Sequence, residues 1–185
     1  MSKVAIKGAD TGTGIFTLES PATNTDRTLV LPDEAGTVLT SAGVPASAMP
    51  AGSVIQVVST STVTSTSTTS TSFVTTALNA SIIPTSATSK IFIIIAGGVL
   101  RTSSTNQGYL TVYRGGTNLG DVNRGLYQVY SAGGSTDFPI SMSYYDTPTT
   151  TLSTTYSVYV RTSSSTTTFE VDAATCTLTL MEIAA

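Results

Sequence analysis

The chain has 185 residues, a formal net charge of −3 and a sequence pI near 4.7. Charged residues make up 10% of it, against roughly 25% in an ordinary soluble domain, and Ser and Thr fill that space at about a third of the chain. There is no histidine and one cysteine, Cys176, which excludes a Ser-His-Asp triad, the usual zinc sites, a thiolate cluster and an intrachain disulfide. Five dispersed arginines and no basic run offer no extended surface to a nucleic-acid backbone, so no nucleic-acid partner is expected.

Residues 1–43 read as a separate segment. Short apolar pieces (Val4–Ile6, Ile15–Leu18, Thr28–Leu31, Val38–Leu39) alternate with Gly, Pro, Asn and Asp, the residues of turns. Some forty residues this sparse in apolar groups rarely fold alone, so the segment should order itself on copies of itself or on a partner. No apolar run reaches the roughly 18 residues of a membrane span, and the first residues lack the apolar stretch of a secretory signal. The expectation is a protein made in a cytosol, not inserted in a membrane, that leaves a cell by lysis if it acts outside one.

The pieces Lys7-Gly8, Gly14–Ala22 and Arg27–Thr40, the last reading Arg-Thr-Leu-Val-Leu-Pro-Asp-Glu-Ala-Gly-Thr-Val-Leu-Thr, resemble a segment of bacteriophage fibre proteins. The resemblance covers nearly all of residues 7–40. It implies an attachment or stem segment on the virion side of a receptor-binding region, without saying whether tail or capsid holds it.

Residues 44–53 read as a semi-extended linker, because Pro45 and Pro50 bar helix and central strand. A second domain, 54–185, opens with the strand Val54–Val58. The Ser/Thr-rich run 59–72 is either a low-complexity linker or a strand and turn; the absence of Pro and the β-branched Thr positions favour the strand. Residues 73–83 form another strand. Lys90–Ala96 (Lys-Ile-Phe-Ile-Ile-Ile-Ala) is then apolar at every position after the lysine. Side chains of a strand alternate between faces, so both faces of this one should be buried. No amphipathic helix is available to cover the second face. A second copy of the chain is the expected cover, which places Ile91, Phe92, Ile93, Ile94 and Ile95 near a subunit interface; a strand covered within one subunit is the alternative.

Gly97-Gly98 should end or bend that strand. Thr102–Gly108 reads as a polar loop, Tyr109–Arg114 as a strand, Gly115-Gly116 as a turn and Thr117–Leu119 as the return. Gly125–Tyr130 and Pro139–Tyr145 read as strands around a loop, 131–137. Later, Tyr156, Val158 and Val160 should share one face, as should Phe169 and Val171, and Leu178 and Leu180. Eight to ten short strands without helical periodicity give an all-β class: an antiparallel β-sandwich, most simply a jelly roll.

The series Ile83–Ile91, Tyr113–Thr117, Tyr145–Pro148, Thr155–Val158 and Leu178–Ile183 resembles a C-terminal β-sandwich domain of phage fibres, including those of phages that infect cyanobacteria. The resemblance implies a homotrimeric jelly-roll head; periodicity alone does not tell a trimer from a dimer.

Candidate sites are few. Tyr127, Tyr130, Tyr144 and Tyr145 flank the 131–137 loop and would suit a sugar-stacking platform; the plainer reading is four strand residues half in the core. Loops 102–108, 131–137 and 146–153 are the expected reach toward a ligand. Glu170 and Asp172 share a strand face and have a spacing compatible with a carboxylate pair for glycoside cleavage, but a solvated face is the plainer reading. Asp137, Asp146 and Asp172 make only a weak calcium set. Arg101, Arg114, Arg124 and Arg161 are candidates for ion pairs with these acids between subunits, and Cys176 for a small buried hydrophobe. No catalytic, cofactor or metal site is expected. The functional expectation is a structural virion fibre, anchored by residues 1–43, whose head binds a host-surface glycan or protein. A capsid decoration fibre is the alternative, and a glycan-cleaving tailspike the distant one.

Overall fold

The computed structural model describes residues 48–169 and 173–185, together with 11, 13–15, 22, 24–26, 28 and 44. The chain divides into two units, Met1–Val38 and Leu39–Ala185, and the fold given below is that of the second. The short strands expected over residues 1–43, and the pair Glu170 and Asp172, lie outside the described residues, apart from the scattered positions just named.

Nine strands and no α-helix are found among the described residues: β1 (Val54–Thr62), β2 (Thr66–Thr68), β3 (Val74–Ile82), β4 (Lys90–Arg114), β5 (Thr117–Asn118), β6 (Tyr127–Asp146), β7 (Thr154–Thr162), β8 (Thr167–Phe169) and β9 (Cys176–Ile183). All pairings are antiparallel, in a sheet of order β1-β9-β4-β7-β3 with β6 alongside β4. The period-2 pattern decides what each strand buries. β3 turns Thr76, Leu78, Ala80 and Ile82 inward, β7 turns Tyr156, Val158 and Val160 inward, and β9 turns Cys176, Leu178 and Leu180 inward. The Ser/Thr-rich run 59–72 is strand and turn: β1 continues to Thr62 and β2 follows at Thr66.

The two long strands carry the architecture. β4 has 25 residues and β6 has 20, and they pair along most of their length. β4 begins and ends at the same end of the domain, since Ile91 pairs with Asp146 while the Arg114 guanidinium also reaches Asp146. The ribbon therefore folds over on itself. Its first half, with β1 and β9, makes one layer (β1-β9-β4-β6), and its second half, with β3 and β7, makes the other (β3-β7-β4-β6). The result is a nearly closed antiparallel sheet with the core between its two layers.

A fold-over needs both halves of each strand to face the same core. In β4 the inward residues are Ile91, Ile93 and Ile95, then Leu100, Leu110 and Val112, so parity switches from odd to even. One extra residue between Ala96 and Val99 makes the switch. Gly97 there has φ of 84°, and a Cβ at that position would lie 2.5 Å from the Thr175 carbonyl oxygen. In β6 the inward set passes from Val129 and Ser131 to Ile140 and Asp146, and the extra residue sits at Gly133-Gly134, where Gly134 has φ of 68°. The stretches 102–108 and 131–137, expected as loops, are thus strand. Their polar side chains are held at the fold by hydrogen bonds. Asn106 is buried and accepts at Oδ1 from the Thr162 hydroxyl (2.9 Å), the Ser163 hydroxyl (2.9 Å) and the Ser164 amide (3.2 Å). Its amide donates to the Thr166 carbonyl, 3.2 Å away.

At the other end a buried polar cluster joins the layers. Arg114 Nη1 donates to both carboxylate oxygens of Asp146 at 2.9 Å, and the Tyr156 hydroxyl donates to Oδ2 at 2.7 Å. Burial first, and then the bond to the carboxylate, push the Tyr156 hydroxyl far above the usual tyrosine range. The C-terminal strand is tied in through Ala184, whose amide donates to the Ser53 carbonyl while its own carbonyl accepts from the Gly52 amide, both at 2.9 Å.

Candidate functional site

Because each strand shows one face to the core, chemistry at the surface belongs to the outer faces of the two layers. On the first layer the pairing register places Val57, Met181, Phe92 and Tyr145 in one row across β1, β9, β4 and β6. The next rows hold Ser59, Thr179, Ile94 and Ser143, then Ser61, Thr177, Ala96 and Ser141. Val57 is 55% exposed and Tyr145 48%. The charge beside these rows is Lys90, whose ammonium lies 5.4 Å from the Tyr145 ring centre; the Phe92 ring packs on Tyr145 at 6.1 Å. This face carries apolar and hydroxyl groups and almost no charge.

The organising strand divides accordingly. Ile91, Ile93 and Ile95 are 0–1% exposed, inside the domain's own core. Of the five residues expected at a subunit interface, only Phe92 and Ile94 lie on the outer face, both half-buried. Both faces of the strand are apolar, as its sequence says, but within one chain only one is fully covered.

The second layer's outer face is aromatic. Tyr109 and Tyr113 of β4 and Tyr159 and Arg161 of β7 share it. Tyr113 and Tyr159 stack with centroids 4.0 Å apart, and Phe73 meets Tyr113 edge-on at 6.4 Å. The Arg161 guanidinium lies 4.8 Å from the Tyr109 ring centre and 5.6 Å from that of Phe73. Beside it the connection from β5 to β6 folds back over the sheet. Asn118 Oδ1 accepts from the buried Thr111 hydroxyl at 2.6 Å, and Asp121 Oδ1 accepts from the amides of Asn123 (2.8 Å) and Arg124 (2.7 Å). Those two amide bonds hold the Asp121 carboxyl below the usual aspartate range.

The four tyrosines singled out by the sequence are not brought into one platform. Tyr127 and Tyr144 pack against the core, and the Tyr127 hydroxyl donates to the Pro139 carbonyl at 2.8 Å. Burial raises the Tyr127 pKa. Tyr130 (54% exposed) pairs beside Gln107 on the second half of the ribbon, while Tyr145 pairs beside Phe92 on the first. The 147–153 connection remains irregular, with Leu152 exposed.

The charges sort themselves within the chain. Arg101 grips Asp137 with two bonds, of 2.5 and 2.8 Å, and holds its carboxyl below the usual range. Arg114 takes Asp146. Two of the four arginines expected to pair between subunits therefore have intrachain acids. Glu182 is fully buried, and no described residue makes an ion pair with it. Burial pushes its carboxyl up, but donors from Gln56 and Thr85 outweigh that and leave it below the ordinary glutamate value. Thr85 also lines a cleft of about 390 Å³, with Met49, Ile55, Ser86 and Ala185. Cys176 is buried among apolar side chains. Among the described residues, no three His, Cys, Asp or Glu side chains converge on a metal-sized site.

The aromatic–arginine cluster was missed by sequence reasoning. Tyr159 and Arg161 alternate with Val158 and Val160, so their outward direction was readable; that Phe73, some ninety positions away, joins them was not. No protein-family model matches the sequence, and no curated protein matches it either.

Proposed function

We propose that the chain is a structural phage virion fibre: a homotrimer whose residues 1–43 attach it to the particle, and whose jelly-roll-like head binds a host-surface glycan or protein. It acts by binding, not catalysis. The observation that carries the reading is the outer face of the first layer. A row of Val57, Met181, Phe92 and Tyr145 above Ile94, nearly free of charge, has the character of a surface that associates with copies of itself. Its hydroxyl neighbours need no counter-ions, and the association is insensitive to salt. The resemblance of residues 7–40 and of the head to phage fibres supplies the virion context. Three identical heads would add avidity to weak individual sites.

An antibody raised against the head should label fibres on the phage particle and block its adsorption to cells. Particles purified without this chain would overturn the reading.

A further inference from the structure

Arg161 differs from the other arginines of the domain. Arg101 and Arg114 each hold a carboxylate, and Arg124 is exposed. Arg161 is half-buried, fixed between the Tyr109 and Phe73 rings, and its Nε is covered without a hydrogen-bond partner. No described residue makes a hydrogen bond or an ion pair to it. Asp121 feels its charge, but directs Oδ1 at the amides of its own turn and stands beyond ion-pair distance. Guanidinium groups present five donors in a planar fork, and covered donors almost always meet an acceptor. Here Nε is covered without an acceptor, the Nη edge is open to solvent, and no described residue supplies a partner to either.

We infer that Arg161, with Phe73, Tyr113 and Tyr159 around it, forms a subsite for an acidic saccharide of the uronic-acid type. A carboxylate matches the open Nη edge of the guanidinium in charge and shape, with the covered Nε out of its reach. The partly buried tyrosine pair next to it offers apolar ring area for a pyranose, and their hydroxyls, with Ser157 and Thr75 in neighbouring register positions, offer neutral partners for sugar hydroxyls. The surrounding surface is rich in hydroxyls and poor in charge, which suits a sugar better than an acidic peptide. This inference rests on reading the head as a receptor-binding module and names the ligand class for it.

The test is calorimetric titration of the full chain with an oligouronate tetrasaccharide, its carboxyl-reduced counterpart and an acidic peptide of equal charge. The expected result is binding of the uronate, at least tenfold weaker binding of the reduced sugar and of the peptide, and at least tenfold loss with Arg161→Gln. Arg161→Lys should recover part of the loss, because it keeps the charge without the fork. The reduced-sugar comparison needs no variant, so it decides the matter even if Arg161→Gln does not fold. Equal binding of acid and reduced sugar, or of uronate by wild type and Arg161→Gln, would overturn the subsite and leave the receptor reading standing. Tighter binding of the peptide would also overturn it. No binding to any sugar, with particle labelling and block of adsorption by the antibody intact, would overturn the saccharide alone; failure of the antibody test as well would remove the fibre reading with it.

Discussion

The two outer faces of this domain are built on the same strands and differ in what they leave unpaired. On the first layer, β4 shows Phe92 and Ile94 beside Ser, Thr and one lysine that rests on an aromatic ring. On the second, the same strand places Tyr113 and the buried Tyr109 beside Arg161. The first face lacks cover for apolar area, the second lacks an acceptor for a guanidinium. An area deficit is met by another large apolar surface; a donor deficit is met by a small anionic group. One continuous strand can serve both because its bulge at Gly97-Gly98 lets the core-facing parity be reset between the halves.

The two faces should respond differently to a change of charge. Ile94→Lys should reduce the proposed trimer to single chains in light scattering, while Arg161→Gln leaves the mass unchanged. Identical effects of the two would erase the distinction. The next largest effect concerns the tie between the layers. Asp146→Ala strands the Arg114 charge and the Tyr156 hydroxyl and should cost about 3–5 kcal/mol in denaturant unfolding. Tyr156→Phe, which keeps the ion pair, should cost about 1–2 kcal/mol. Gly97→Ala introduces a strained left-handed residue and a clash with the Thr175 carbonyl, and about 2–4 kcal/mol is expected from it. A neutral Gly97→Ala would show that the fold-over does not depend on that bulge.

The smallest effect is in pH. Glu182 has a folded pKa below its ordinary 4.5, so the unfolded chain binds its proton first as pH falls. Its contribution to stability is full above that value and is lost as pH drops through the lower folded one. The midpoint of urea unfolding should therefore decline below about pH 4.5, and less steeply in Glu182→Gln. A decline of equal slope in the variant would assign the effect to the other carboxylates.

Much of the fold was legible where strands alternate. Tyr156, Val158 and Val160, and Leu178 and Leu180, face inward as their period-2 spacing predicts, and the all-β class follows from it. The polar stretches 102–108 and 131–137 were misread as loops because polarity signals exposure only when no buried partner exists. Asn106 and its partners on 162–166 supply one, fifty to sixty positions away. Gly97-Gly98 reads as the end or bend of a strand, whereas it carries a one-residue insertion inside β4; the turn expected at Gly115-Gly116 is found. Ion pairing was the least legible part. Arg101 and Asp137 meet because they are paired in the β4–β6 register, and Arg114 reaches Asp146 only because the ribbon folds over on itself. The arginines' number and spread said nothing of it. Arg161 was legible as outward-facing, but its lack of an acceptor among the described residues depends on how distant strands are brought together.

The most direct test of the account is the solution mass of the full purified chain by light scattering at neutral pH. The account predicts three subunits, unchanged between low and high salt because the associating face carries almost no charge. A single-chain mass would contradict it, for it would leave the row of Val57, Met181, Phe92 and Tyr145 facing water with no partner copy.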